Sequence, residues 1–348
     1  MVNMILSELI NDNRIRRWAN RAGHQLTIGL ITNGERLFWK NGQMADEHDV
    51  LFGYEIGSIT KTMTGLLLAV GEQRGLWNRS DLVADLHPEW ASSPFARKTT
   101  LLHLVTHTSG LPRVPENLDA SMEDPLNPYA AYSEQHLQEA VLAESEKENR
   151  RHQYSNYGFG LLGWLLAKRL GMSLDDVLQE FVFEPLGMNH TGIGLSDRPP
   201  AMLPVYTAKG KPVPHWTFQD TMAGAGAVRS TVSDMLRYIG AHLFPARDSL
   251  EEALMISLAE HHALIPKRGV GIGYGWMMYR ERDGSPTYWH NGGTYGSSSF
   301  AAFNRQHGTG LVILSNYGAD LWSHFPLIGL ARMNVDKLAR MLADKLFL

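Results

Sequence analysis

The apolar positions change period along the chain. Ile5, Leu6, Leu9, Ile10, Ile15 and Trp18 fall at helical spacing and Gly23 closes the stretch, so an amphipathic helix is expected over residues 3–21. Two short apolar runs follow, QLTIGLIT and RLFWKNG, joined by Asn33-Gly34, a strong hairpin signal. From Ser58 to about Gly75 the pattern is helical again. Helical runs then dominate to about residue 250, broken at HPEW, GLPRVP and DRPPAMLP. Two of them stand out: NYGFGLLGWLLAKRLG is apolar almost all round, which implies burial, and STVSDMLRYIGAHL opens with capping-type residues. The last hundred residues return to short strands, YGWMMYRE, PTYWH, SSSFAAFN and LVILSN, with turns at Asp283-Gly284 and around Gly308 to Gly310. A final helix, about Val335 to Phe347, carries Leu338, Met341, Leu342 and Leu346 on one face.

Strands at both ends with helices between them point to one sheet assembled from both termini, with a helical region inserted. With 348 residues, the chain has room for roughly two domains. The expected division is a sheet domain of residues 1–75 and 251–348, a mainly helical domain of residues 76–250, and a site between them. No repeat and no low-complexity segment interrupts this plan. The run GVGIGYG at 269–275 precedes a strand rather than opening a helix after one, so it reads as a bulged or closely approached strand edge, not a dinucleotide fingerprint.

Composition narrows the function. A net charge of -4 and no basic block beyond Arg14, Arg16 and Arg17 leave no footprint for binding nucleic acid. With no cysteine in the chain, disulfides and thiolate catalysis drop out, and a covalent nucleophile has to be an oxygen or a lysine. Among 15 histidines, His103 and His107 are four apart and His261 and His262 adjacent, yet no third ligand follows at metal-site spacing, so no metal and no cofactor is expected. The first residues lack the apolar core of a signal peptide, and no segment reaches the ~18 apolar residues of a membrane span. If Met1 is the true start, a cytoplasmic location without membrane contact is expected. The oligomeric state stays open.

The chemistry concentrates in three short stretches. In GSITKTMTG, Ser58 and Lys61 are three apart at the start of a helix and share a face, behind a glycine that frees the backbone where unpaired N–H groups favour negative charge. In QYSNYGFG, Tyr154, Ser155 and Asn156 stand on a loop at the mouth of an apolar helix; alone they read as a packing residue and a cap. In YWHNGGTYGSSSF, a strand ends in His290-Asn291-Gly292-Gly293, where paired glycines allow a ligand close to backbone N–H groups.

Taken together and in this order, S-x-x-K, Y-S-N and H-x-G, the chain resembles the class C β-lactamase and penicillin-binding-protein-like serine hydrolases. That family includes DD-peptidases, D-amino-acid peptidases and carboxylesterases. The stretches TLLHLVTHTSGLP, FEPLGMNHTG and GAGAVRSTVSDMLRYI add to the likeness, which runs from about Phe52 to Asn316. The resemblance implies an α/β (α+β) fold: an antiparallel sheet built from both termini and flanked by terminal helices, with an inserted mainly helical domain. It implies that Ser58 is the nucleophile, Lys61 and Tyr154 its activating pair, and Asn156 a partner of Lys61 and of the substrate. His290, Asn291 and Gly292 would bind substrate, and the backbone N–H groups of Ser58 and Gly293 would form the oxyanion hole. The reaction implied is acyl transfer to Ser58 followed by hydrolysis of a small-molecule or peptide substrate.

Elementary electrostatics bears on two of these roles. Holding Tyr154 half ionised at neutral pH needs a shift of about three units, or roughly 4 kcal/mol, which one lysine at ~4 Å barely supplies. Many relatives carry a lysine where this chain has His290, an imidazole that is mostly neutral at pH 7. The substitution disfavours efficient use of carboxylate-bearing β-lactams and D-Ala-D-Ala peptides. Turnover of such substrates is expected to fall as His290 deprotonates, while that of neutral esters does not. Esterase or D-amino-acid peptide hydrolase activity is therefore favoured, with β-lactamase, D-Ala-D-Ala carboxypeptidase and a non-catalytic penicillin-binding or regulatory module as alternatives. A G-x-S-x-G nucleophile elbow is excluded, because Ile56 and Thr60 stand where its glycines belong. The side chain that contacts a substrate amide between the first two motifs is not identified, and PRVPENLDASMEDP is left as a variable rim.

Overall fold

The computed structural model describes residues 12–147, 151–194, 202–246, 250–319 and 333–347. Among the described residues, nine strands form one antiparallel sheet: β1 (Leu26–Thr32), β2 (Glu35–Lys40), β3 (Gln43–Ala45), β4 (His262–Ile265), β5 (Val270–Ile272), β6 (Met277–Arg280), β7 (Pro286–Gly293), β8 (Ser298–Asn304) and β9 (Thr309–Ser315). Their spatial order is β3-β2-β1-β9-β8-β7-β6-β5-β4, so the N-terminal hairpin pairs with the last strand and the sheet is closed from both ends of the chain. Asn33 and Gly34 both take positive φ and join Thr32 to Glu35 directly opposite, as a two-residue turn between right-twisted strands requires.

Alternation along the central strands assigns the two faces. Leu26, Ile28 and Leu30 of β1 and Leu311 and Ile313 of β9 turn outward, onto α1 (Asn13–Ala19) and the last helix. There they meet Ile15 and Trp18 from one end of the chain and Val335, Leu338 and Leu342 from the other. Ile31, Val312 and Leu314 turn inward, into the larger core shared with the helical region. Because both faces are covered, β9 is buried along its whole length. The expected first helix is seen as α1 only; residues 3–11 of that expectation lie outside the described residues.

Three helices fill the inner side: α2 (Thr60–Gln73), α3 (Asn156–Leu170) and α4 (Val232–Leu243). The capping residues define two of them. Ser155 Oγ accepts the Gly158 N–H and Thr231 Oγ1 accepts the Asp234 N–H, and Gly171 ends α3 in the left-handed conformation. Helix α4 lies against β1 and β9 where they are thinned to glycine, since a Cβ on Gly29 would meet Val232 and Leu236, and one on Gly310 would meet Ile239. The run 269–275 is the close approach expected of it: β4 and β5 are bulged between Ala263 and Ile265, and a Cβ on Gly275 would lie 2.7 Å from the Lys61 carbonyl oxygen. The last helix, α5 (Val335–Leu346), covers the outer face. Among the described residues, no helix is long and apolar enough to cross a membrane.

Candidate active site

Ser58 sits in the single 3₁₀ turn Gly57–Ile59 that leads into α2. Gly57 has φ +51°, and a Cβ there would lie 2.5 Å from the Gly293 nitrogen, so only glycine lets the turn press against the end of β7. The turn is tied on both sides: Ile56 N–H donates to Val228 O (3.1 Å), and Ile56 O accepts from Ser299 Oγ (2.7 Å). Just before it, the Glu55 carboxylate is buried and accepts from the Trp216 N–H (2.7 Å) and from Thr294 Oγ1 (2.6 Å). This links the serine turn to the loop ahead of residue 220 and to the segment after β7.

Lys61 follows one turn later, on the same face as Ser58, and is completely buried. Its Nζ lies 3.0 Å from Ser58 Oγ and donates to Ala225 O at 2.6 Å. That carbonyl is brought there by the small-residue run around Gly224, where a Cβ would collide with Phe159 O of α3. Burial pushes the Lys61 ammonium well below the ordinary lysine value, and the charge of Arg113 pushes it the same way. Tyr154 donates to Ser58 Oγ at 2.8 Å. Its hydroxyl is pushed up to about 12 by burial, against the opposing pull of the Ser58 hydrogen bond and of Arg113. The neutral forms of both groups are thus favoured. A half-ionised Tyr154 beside a lysine cation, the arrangement weighed from sequence, is not the resting state these environments select.

The third stretch lands on β7, where the period-two alternation separates its residues. His290 faces inward, buried, with its ring 6.5 Å from that of Tyr154, and its Nδ1 lies 2.6 Å from Asn291 O. Burial, reinforced by the charge of Lys61, pushes the imidazole down to about 3. The titration expected near the ordinary histidine value, with its effect on carboxylate-bearing substrates, is therefore moved out of the neutral range. Asn291 corrects the sequence reading: its side chain points to the outer face and donates to Asp336 of α5 at 3.1 Å, away from Ser58. Gly292 packs on the serine turn so closely that a Cβ would run into the Ile56 carbonyl oxygen. Thr294 N–H bonds to Ser297 O, which makes the neighbouring Gly293–Ser298 pair the non-hydrogen-bonded one. The Gly293 N–H is thereby turned away from β8, on the edge that meets Gly57 and Ser58.

Asn156, the first residue of α3, reaches the site but not Lys61. Its Nδ2 donates to Tyr129 Oη at 3.1 Å, and its buried Oδ1 has no partner among the described residues. The expected Asn156–Lys61 bond is absent because Lys61 is engaged by Ser58 and Ala225 O. The free acceptor is left for a donor arriving from outside.

Other contributors went unrecognised in the sequence. His107, which the sequence offers for metal spacing and within the TLLHLVTHTSGLP likeness but with no role, brackets Tyr154. Its carbonyl accepts the Gln153 N–H (2.8 Å), its Nδ1 accepts the Ser155 N–H (3.1 Å), and its ring lies 4.6 Å from the tyrosine ring. To do this it adopts φ +57°, a conformation uncommon for a residue with a Cβ. Arg113 places its guanidinium 5.2 Å from the Tyr154 ring. Tyr129 stacks on Phe218, Trp216 packs edge-on against Tyr129, and Tyr295 packs edge-on against Trp216. Arg113 lies in the variable rim PRVPENLDASMEDP and Tyr129 on its flank; the positive residue right after GLP is the signal the sequence offers.

The family model described as Beta-lactamase matches residues 26–329. The chain is 29% identical over 266 residues to a β-lactamase of Yersinia enterocolitica, covering 73% of this chain and 64% of that protein. It is 35% identical over 229 residues to a β-lactamase of Escherichia coli, covering 63% and 56%. These alignments span less than two thirds of the length of either relative. Among solved structures, a β-lactamase/D-alanine carboxypeptidase from Pseudomonas syringae shares the fold, with a TM-score of 0.75 at 20% identity over 91% of this chain and 95% of that one.

Proposed function

Because the chain belongs to the β-lactamase family and Lys61 and Tyr154 converge on one serine oxygen, we propose that it is a serine hydrolase working through an acyl-enzyme. The observation that carries this reading is the hydrogen-bond circuit at Ser58. Tyr154 donates to Ser58 Oγ, and Lys61 Nζ lies 3.0 Å from the same oxygen while donating to Ala225 O. Nothing in a purely structural role calls for a lysine at 0% exposure with its charge suppressed.

In this reading Ser58 Oγ attacks the substrate carbonyl carbon, its proton passes to Lys61 Nζ, and the oxyanion is held by the N–H groups of Ser58 and Gly293. Tyr154, protonated across the working range, gives its proton to the departing oxygen or nitrogen as the carbonyl bond to it breaks. Water then cleaves the Ser58 ester, releasing the acid and restoring both protons. Asn156 Oδ1 accepts from a substrate donor, and His290 lines the site as a neutral ring.

Esters and D-amino-acid peptides are favoured over β-lactams, since His290 supplies no cation on the β7 side of the site, and a substrate carboxylate has to be met elsewhere. The second reading, β-lactam or D-Ala-D-Ala hydrolysis, is supported by the names of the relatives. The test is intact-protein mass after incubation with a penicillin and, separately, with an activated short-chain ester, using Ser58→Ala as control. A Ser58-dependent acyl adduct is expected from the ester, transient rather than lasting. A persistent penicillin adduct would point to a penicillin-binding role, and no adduct from either in the folded protein would overturn the hydrolase reading in favour of a binding module.

A further inference from the structure

We propose that Arg113 is the anion anchor of this site and that its preferred substrates carry a carboxylate near the scissile bond. This rests on the serine-hydrolase reading and narrows its substrate class.

An anionic substrate needs a cation that is charged, accessible and unspent. Lys61 is neither accessible nor unspent, being buried and held by Ser58 Oγ and Ala225 O. His290 and His107 are buried as well, each with Nδ1 engaged, by Asn291 O and by the Ser155 N–H respectively. Arg113 differs on every count. It is exposed, and among the described residues no carboxylate lies within ion-pairing distance of it and no hydrogen bond engages its side chain.

Its root is nevertheless fixed. Arg113 O accepts the N–H groups of Asn156 (2.8 Å) and Tyr157 (3.2 Å), which seats the residue on the first turn of α3 beside the Tyr154–Asn156 motif. From there the guanidinium lies over the Tyr154 ring, whose hydroxyl touches Ser58 Oγ. The charge is felt inside the site, at Lys61, Tyr154 and Tyr129. Beside it stands the aromatic wall of Tyr129, Phe218 and Trp216, and Phe218 reaches within 3.6 Å of where a Cβ on Gly226 would sit, next to the serine turn. A low-dielectric wall beside the guanidinium strengthens its pairing with a carboxylate, and the planar fork suits that group bidentately.

Two matched ester pairs test the anchor and locate the anion. Mono-p-nitrophenyl glutarate against p-nitrophenyl butyrate places the charge in the acyl part; 4-acetoxybenzoate against phenyl acetate places it in the leaving part. The wild-type protein is expected to prefer the anionic member of one pair by about ten-fold or more in kcat/KM, carried mainly by KM. Arg113→Ala should erase that preference and Arg113→Glu should reverse it. The pair that responds identifies the side on which the anion sits. No preference in either pair, or a preference that survives Arg113→Ala, overturns the proposal. So does an equal loss on both members, which would make Arg113 a positioning residue for Tyr154. If no ester is turned over in a Ser58-dependent manner, the hydrolase reading fails separately. The anchor is then read by calorimetry of glutarate binding to Ser58→Ala with and without Arg113→Ala, where an unchanged affinity overturns it.

Discussion

The two faces of the sheet are covered by different kinds of material. On the outer face, α1 and α5 bury Trp18, Leu338, Leu342 and their strand partners in a cluster made of apolar side chains. On the inner face, a larger apolar core surrounds Lys61, His107, His290 and Tyr154, polar groups whose burial disfavours their charged forms. Burying such groups costs stability and burying alkyl groups supplies it, so the outer face is where the fold gains and the inner face is where it spends. The difference teaches where to look for chemistry: not at the most buried positions, but at those where burial is unfavourable and is tolerated.

Substitutions of opposite sign sharpen this contrast. Lys61→Met should lower kcat by about 10²–10⁴-fold, the usual worth of a general base, and at the same time raise the melting temperature. The sign follows from linkage. The unfolded chain binds the Lys61 proton more tightly than the folded one, so this residue penalises the fold at low and neutral pH, and the penalty fades as pH rises toward the ordinary lysine value. Loss of both activity and stability in Lys61→Met would break the comparison.

Gly292→Ala comes next, with a loss of roughly 10²-fold in kcat/KM, because the added Cβ forces β7 away from the Ile56 carbonyl and moves the Gly293 N–H off Ser58. Ester hydrolysis and thermal melting measure both consequences. On the outer face, Leu342→Ala should cost about 2–5 kcal/mol in denaturant unfolding while kcat stays at the wild-type value. A change in kcat there would show that the two faces are coupled.

The pH profile is a finer test. With Tyr154 pushed up to about 12, hydrolysis of a neutral ester should not decline between pH 7 and 9, and any acid limb belongs to Lys61 gaining its proton. With His290 pushed down to about 3, His290→Asn should leave the shape of that profile unchanged above pH 5. The smallest effect is expected at Asn291→Ala. Its bond to Asp336 lies at the surface, and its loss should stay within about 0.5 kcal/mol, with kcat/KM unaltered.

Much of this architecture is written locally. The Asn33-Gly34 turn, the Ser155 and Thr231 caps and the leucine face of α5 follow from neighbours within a few residues, so periodicity and turn chemistry place them. The i, i+3 relation of Ser58 and Lys61 on one helix face belongs to the same class, as does the presence of Tyr154 at the mouth of α3. The alternation of β7 was equally available, and applied to His290-Asn291-Gly292 it would have turned Asn291 outward.

What the sequence by itself determined, then, is the set of elements and the order of the three site stretches along the chain. Only the tertiary structure decided which groups share one dry space. The partner that holds Lys61 is a backbone carbonyl at Ala225, and the ring that braces Tyr154 is His107, both far away along the chain. The protonation states of Lys61, Tyr154 and His290 follow from desolvation by elements distant in sequence, and the exposure of Arg113 follows from the lack of any. A hydrogen-bond partner and a protonation state depend on what lies within a few ångströms in space, and spacing along the chain carries no record of it.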